Sequence, residues 1–310
     1  MEALLSLAFD NLSSYDGPKV RKGLRQVEGL LAQICLSNPK PQTTTTATTT
    51  TTMAANGSSD DGGGGAEEAT ASGSRKDLAQ LSRDPAFREF FKLQEGFEWN
   101  VAMRLIGTLD RLMAKGSDGQ NDLLILSALD LIQGVLLLHP PSKSLFSREQ
   151  NMNLLLDLLE PYNCPAIQSA TLLTLVVALI DTPQNTRAFE ALDGLLTVTS
   201  LFKSRSTARE VKLKLVEFLY FYLMPETPSI PRAGRRDSVP PLLQRSPSKL
   251  AGAFGRGGAG AGTQRRRADS EVQCVLSTDE KQELLSRHLS SVEDLVKDLR
   301  NCAPFGGAVC

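Results

Sequence analysis

Catalysis needs a nucleophile, a proton-transfer group or a metal ligand, and this sequence has few of them. It has five cysteines (Cys35, Cys164, Cys274, Cys302, Cys310) and two histidines (His139, His288). The cysteines are scattered and contain no C-x-x-C pair, which speaks against a disulfide framework or thiolate metal site and for reduced thiols. Cys164 stands between Pro161 and Pro165 without a nearby base to activate it. His139 precedes Pro140-Pro141 at a helix end, and His288 lies near the apolar seam of the last helix, so packing roles are expected for both. Carboxylates such as Asp110, Asp130 and Glu160 are spread along helix surfaces with nothing to pair them. No G-x-x-x-x-G-K-[ST], G-x-S-x-G or H-E-x-x-H motif occurs. The glycine-rich run Gly255 to Gly262 lacks the strand before it and the helix after it that a phosphate loop requires. The expectation is a non-enzymatic chain with no catalytic residue, no cofactor and no metal.

One chemistry is written more clearly, the acceptance of phosphate. Ser238 and Ser270 each follow an arginine by three positions, Arg235 and Arg267, the spacing that basophilic kinases read. Ser246, followed by Pro247 and with Lys249 three positions on, has a proline-directed form. Between Pro225 and Ser270 nine lysines and arginines meet three carboxylates, so a phosphate adding about −1.5 to −2 charges would act on a basic stretch. Ser238, Ser246 and Ser270 are therefore candidate phosphorylation sites, and Ser238 with Pro240 also fits a phosphopeptide adaptor. Aromatic residues are nearly absent from the stretch, and the whole chain carries a net charge of −1, so nucleic acid is not an expected partner. No apolar run approaches the roughly 20 residues of a bilayer span, and Glu2 stands where a signal peptide carries a cation. A cytoplasmic protein without membrane contact is expected.

The elements that would position any site are helices. A shift of 43 positions carries Phe146 onto Phe189, Leu155 onto Val198, Leu158 onto Leu201, Leu172 onto Leu215 and Leu175 onto Phe218. Within the apolar helix 165–180 a thin row survives at Ile167, Thr171, Thr174 and Ala178, spaced 4, 3 and 4. The same shift places Glu210, Lys214, Glu217 and Phe221 in that row, and a shift of 44 back places Leu123, Ser127, Asp130 and Gly134 there. A helix apolar nearly all round is buried on most sides. Three such helices at a spacing of about 40–47 residues predict an all-α, armadillo/HEAT-like repeat solenoid. The row is then the expected water-facing, partner-binding surface: Glu210, Lys214 and Glu217 first, then Gln168, Thr171, Thr174, Ser127 and Asp130.

The predicted organisation follows. Residues 1–36 form a helical hairpin with an apolar face, which docks on the body. Residues 37–74, with the threonine tract Thr43 to Thr52 and four glycines at Gly62 to Gly65, form a disordered linker. Residues 75–224 are the repeats, opened by Asp84 as a cap and Pro85 in the first turn. Residues 225–275 are a second, basic disordered linker. Residues 276–303 are an amphipathic closing helix behind a Ser277–Glu280 capping box, with Leu285, Leu289, Val292, Val296 and Leu299 on its seam. Residues 304–310 are a tail.

Several stretches together resemble one family. They are the opening MEALLSLAFDNLSSYDGPKVRKGLRQVEGLLAQICL, the body segments PAFREFFKLQEGFEWNVAMRLIGTLDRL and TPQNTRAFEALDGL, and the ending VLSTDEKQELLSRHLSSVEDLVKDL. They resemble the fungal cell division control protein 14 family of the septation initiation network, the scaffold and not the phosphatase that shares the name. That phosphatase would need a C-x-x-x-x-x-R loop, which none of the five cysteines supplies. The resemblance implies a subunit of a germinal-centre (sterile-twenty-like) protein kinase, associated with the spindle pole body, that promotes cytokinesis and septum formation. It further implies spindle-pole scaffold proteins as partners. It assigns no functional residues.

Overall fold

The computed structural model describes residues 1–36, 76, 78–114, 119–226, 275–293 and 297. Most of the two expected linkers, with Ser238, Ser246 and Ser270, lies outside the described residues, as do the far end of the closing helix and residues 304–310. Every element of the described residues is a helix. In order they are α1 (Glu2–Leu12), α2 (Gly17–Cys35), α3 (Leu78–Arg83), α4 (Pro85–Gln94), α5 (Val101–Ala114), α6 (Asp122–Leu138), a 3-10 helix (Pro140–Ser147), α7 (Glu149–Asp157), α8 (Pro165–Leu179), α9 (Pro183–Ala191), α10 (Gly194–Lys203), α11 (Arg209–Leu223) and α12 (Thr278–Ser286).

Local chemistry sets several of these boundaries. Asp84 Oδ1 accepts the backbone N–H groups of Ala86 and Phe87, satisfying donors that the first turn of α4 leaves open. Ser277 and Glu280 close a reciprocal capping box at the start of α12. Proline occupies the first turn of α2, α4, α8 and α9, where its missing N–H costs nothing.

Packing follows the 43-residue correspondence. Phe146 and Phe189, Leu155 and Val198, Leu172 and Leu215, and Leu175 and Phe218 are all buried. Helix α6 joins the series at the same shift, because Leu129, Leu172 and Leu215 are buried, as are Ile132, Leu175 and Phe218. Helices α6, α8 and α11 pack side by side, α8 in the middle. The N-terminal pair adds a layer before them, α1 against α5 and α2 against α6. Phe9 stacks on Trp99 with centroids 6.2 Å apart and lies under the Arg104 guanidinium, while Arg111 donates to the Leu12 carbonyl at the end of α1.

Buried asparagines tie consecutive layers. Asn100 donates to the Gln94 carbonyl (2.8 Å) and to Ser142 Oγ (3.2 Å), and Asn185 donates to the carbonyls of Ala178 (2.7 Å) and Lys143 (2.8 Å). Each satisfies a helix-end carbonyl in its own layer and reaches into a neighbouring one. His139 ends α6 as a packed residue, buried, edge-on to Phe91 and within 2.8 Å of Ser142 Oγ.

The closing helix differs from its expected form. It stops at Ser286, passes through a turn, and resumes helical geometry at Val292. Leu285, Leu289 and Val292 all reach the core across the break, and Lys203 takes the His288 carbonyl within the turn.

Candidate functional site

Helices α6 and α8 are flanked on both sides and α11 on one side, by α8, and each keeps an exposed face. On α6 that face carries the row Leu123, Ser127, Asp130, Gly134 and Leu137, spaced 4, 3, 4 and 3. A shift of 43 gives Ala166, Ala170, Leu173 and Val177 on α8, with Ile180 as its cap; on α11 the exposed residues are Arg209, Glu210, Leu213 and Glu217, and Leu223, which matches Ile180, is buried. This surface is largely apolar: Leu123 is 70% exposed, Leu137 61%, Leu173 42%, Ile180 39% and Leu213 58%. Clustered apolar exposure rimmed by charge marks interaction surfaces more often than bare solvent contact.

The expected polar row is therefore corrected on α8. Thr171 and Thr174 are fully buried and Gln168 nearly so. The true register between α6 and α8 is 43 and not 44, which turns Thr171 and Thr174 one position inward from the open face. Their burial is tolerated because each hydroxyl donates to the carbonyl four residues back, Thr171 to Ile167 (2.8 Å) and Thr174 to Ala170 (2.9 Å). Gln133 reaches across from α6 to Thr174 Oγ1 (3.0 Å), and Gln168 donates to the Glu160 carbonyl (3.0 Å). Thr174 thus ties α8 to α6, and Gln168 ties it to the turn after α7. Ser127 and Asp130 do lie on the open face, as do Glu210 and Glu217; Lys214 is half-buried and pairs with Glu217 at 2.8 Å.

Helix α2 extends the surface beyond α6. Arg21, Leu24, Arg25 and Glu28 line one wall of a cleft of about 490 Å³, with Leu123, Leu124, Ser127, Asp130 and Leu131 opposite. The Asp130 carboxyl is pushed above the ordinary carboxylate range, first by burial and then by the charge of Glu28.

At the other end of the helical body sits a polar cluster with little trace in the sequence. Glu226 Oε1 accepts Arg187 (2.7 Å) and Lys281 (3.1 Å), and its other oxygen accepts the Leu276 N–H (3.0 Å). Arg187 also meets Glu190 (2.9 Å), which accepts the Tyr222 hydroxyl (2.6 Å). Burial, foremost, pushes the Glu190 carboxyl up and the Lys281 ammonium down, and raises the Tyr222 hydroxyl far above its usual value. The one available signal was Lys281, a cation four positions before Leu285 on the apolar seam. The cluster fastens α12 to the end of α11. No group of three His, Cys, Asp or Glu side chains suited to a metal occurs among the described residues, and none of their helices is long and apolar enough to cross a membrane.

Comparison with known proteins gives a consistent result. The family model described as "Cell division control protein 14, SIN component" matches residues 1–305. A protein of Schizosaccharomyces pombe named "Cell division control protein 14" is 28% identical over 225 residues, which cover 70% of this chain and 78% of that protein. No solved structure matches.

Proposed function

Because the chain belongs to the cell division control protein 14 family, a component of the septation initiation network, we propose that it is a non-enzymatic scaffold and activating subunit of a germinal-centre-type protein kinase. Its part in cell division follows from the family; the kinase, the activation and the spindle pole body are the proposal. We read the stacked layers as a short armadillo-like array, whose open helical row is used for extended partners. The observation that supports this reading is the exposed apolar face at Leu123 and Leu137 of α6, Leu173 and Ile180 of α8 and its cap, and Leu213 of α11. Side chains such as Leu173 and Leu213 would face water at a cost unless a partner covers them. A subunit of this kind activates only by binding the active arrangement of its kinase more tightly than the inactive one.

The test is turnover of the purified kinase with and without the full chain, alongside a Leu173→Asp, Leu213→Asp double variant and a Glu210→Lys, Glu217→Lys double variant. The expected result is stimulation by the parent chain and loss of both binding and stimulation with the leucine variant at unchanged helical content. Binding without altered turnover would make the protein a passive tether of the kinase. Absence of binding would overturn the assignment of the partner. Phosphorylation at Ser238, Ser246 and Ser270, and capture of the phosphorylated segment by a phosphopeptide adaptor, would regulate the complex through charge. Mass spectrometry of the protein from dividing cells would show or refute those three sites.

A further inference from the structure

Helices α2 and α6 run in the same direction and in register. The Glu28 charge acts on Asp130, and Leu31 approaches Gly134 one turn further along. Arg21 and Arg25 consequently lie toward the Leu123 end of the cleft, and Glu28 and Asp130 toward the other. The cleft is therefore polarised, cationic at one end and anionic at the other, with leucines between. Ser127 turns its hydroxyl onto the Leu123 carbonyl (2.9 Å), so its donor is already used within α6. None of the four charged residues forms an ion pair among the described residues. Two carboxylates line this end without a cation between them and leave it uncompensated; burial, foremost, and then the Glu28 charge push the Asp130 carboxyl up.

We propose that this cleft docks a short extended segment of a partner protein that carries a carboxylate at one end, an apolar side chain at its centre and a cation at the other. The carboxylate meets Arg21 and Arg25, the apolar side chain rests on Leu24, Leu124 and Leu131, and the cation enters between Glu28 and Asp130. Arg21 and Glu28 are two helical turns apart, about 10 Å at about 1.5 Å per residue. An extended chain rising about 3.3 Å per residue spans that with roughly three or four residues. Charge complementarity of this kind fixes direction and register in an otherwise greasy contact. The inference rests on the reading that this surface binds a partner, and it names the chemistry of one part of that contact.

The probe is an array of synthetic octapeptides in which Asp, Leu and Arg are permuted on an alanine background, exposed to the full chain. Binding is expected for peptides with Asp and Arg three or four positions apart and Leu between them. An Arg21→Glu, Arg25→Glu variant should bind these peptides about tenfold more weakly and instead prefer a cation at both ends. Selection that ignores the order or spacing of the charges overturns the proposal, as does selection unchanged in the arginine variant or no selection at all. Co-purification of the kinase with the chain, measured in parallel, separates the two readings. If the kinase is retained while no peptide pattern emerges, the scaffold stands and the cleft fails. If the pattern emerges without the kinase, the cleft stands and the partner assignment fails.

Discussion

Glu226 holds an arginine of α9, a lysine of α12 and the Leu276 N–H just ahead of α12 with one carboxylate. Removing it leaves Arg187 with Glu190 alone and the buried Lys281 without a carboxylate, and a stranded charge of this kind costs more than the pair itself contributed. Glu226→Ala is expected to lower the unfolding free energy by about 2–3 kcal/mol in urea titration. Amide exchange should quicken at Leu276 and Lys281 well before it does in α8. Asp84 gives a prediction in pH. Its carboxyl lies below the ordinary value of 3.8, first because it accepts a hydrogen bond from Lys76, with the N–H groups of Ala86 and Phe87 adding to the effect. A depressed carboxylate stabilises the fold at pH above its unfolded pKa, and that contribution disappears as pH falls through the folded one. Melting temperature followed from about pH 5 to about pH 2 should therefore fall more steeply for the parent protein than for Asp84→Asn, with the two curves converging at the acid end.

At the scale of elements, α1 and α2 meet at Gly23. A Cβ there would lie 2.9 Å from the Leu12 nitrogen and 3.0 Å from the Ala8 carbonyl oxygen, both backbone atoms that cannot swing aside. Gly23→Ala should force the hairpin apart and cost about 1–3 kcal/mol, read by urea unfolding with Trp99 fluorescence, since Trp99 stacks on Phe9 of α1. Gly29 provides the control: the same substitution there meets nothing within 4 Å and should be neutral or slightly stabilising.

At the scale of the whole molecule, the chain leaves and re-enters the helical body at adjacent points. The Lys76 N–H donates to the Cys35 carbonyl at 3.0 Å, and its ammonium to the Ile34 carbonyl at 2.9 Å and to Asp84. The Glu226 N–H likewise points to the Leu276 carbonyl at 3.4 Å. The ends of each intervening stretch are therefore adjacent, so either stretch can be shortened without moving the body. Replacing residues 227–274 by a linker roughly eightfold shorter is expected to keep the fold and raise its stability by about 2 kcal/mol, since each halving of a closed loop recovers about 0.6 kcal/mol. Calorimetry of the shortened chain checks this, and a lower melting temperature would show that the stretch packs on the body.

The sequence by itself determined the helical class, the cap at Asp84, the capping box at Ser277 and the 43-residue correspondence. Each is local, or is a repetition of apolar residues that a helix of 3.6 residues per turn must bury. It also marked Glu210 and Glu217 as surface, because charge at those positions has no low-cost place inside. Tertiary structure decided the rest. Whether Thr171 and Thr174 face water or a neighbouring helix depends on a one-position register, and a hydroxyl that can bond back to its own helix is compatible with either. The face that stays open was hidden by its own chemistry, since Leu173 and Leu213 look like core residues until the flanking helices are in place and no further layer covers them. The same holds for the clasp at Glu226. Arg187, Glu190, Tyr222, Glu226 and Lys281 are far apart in the chain, and only the docking of α12 on α11 brings their charges together.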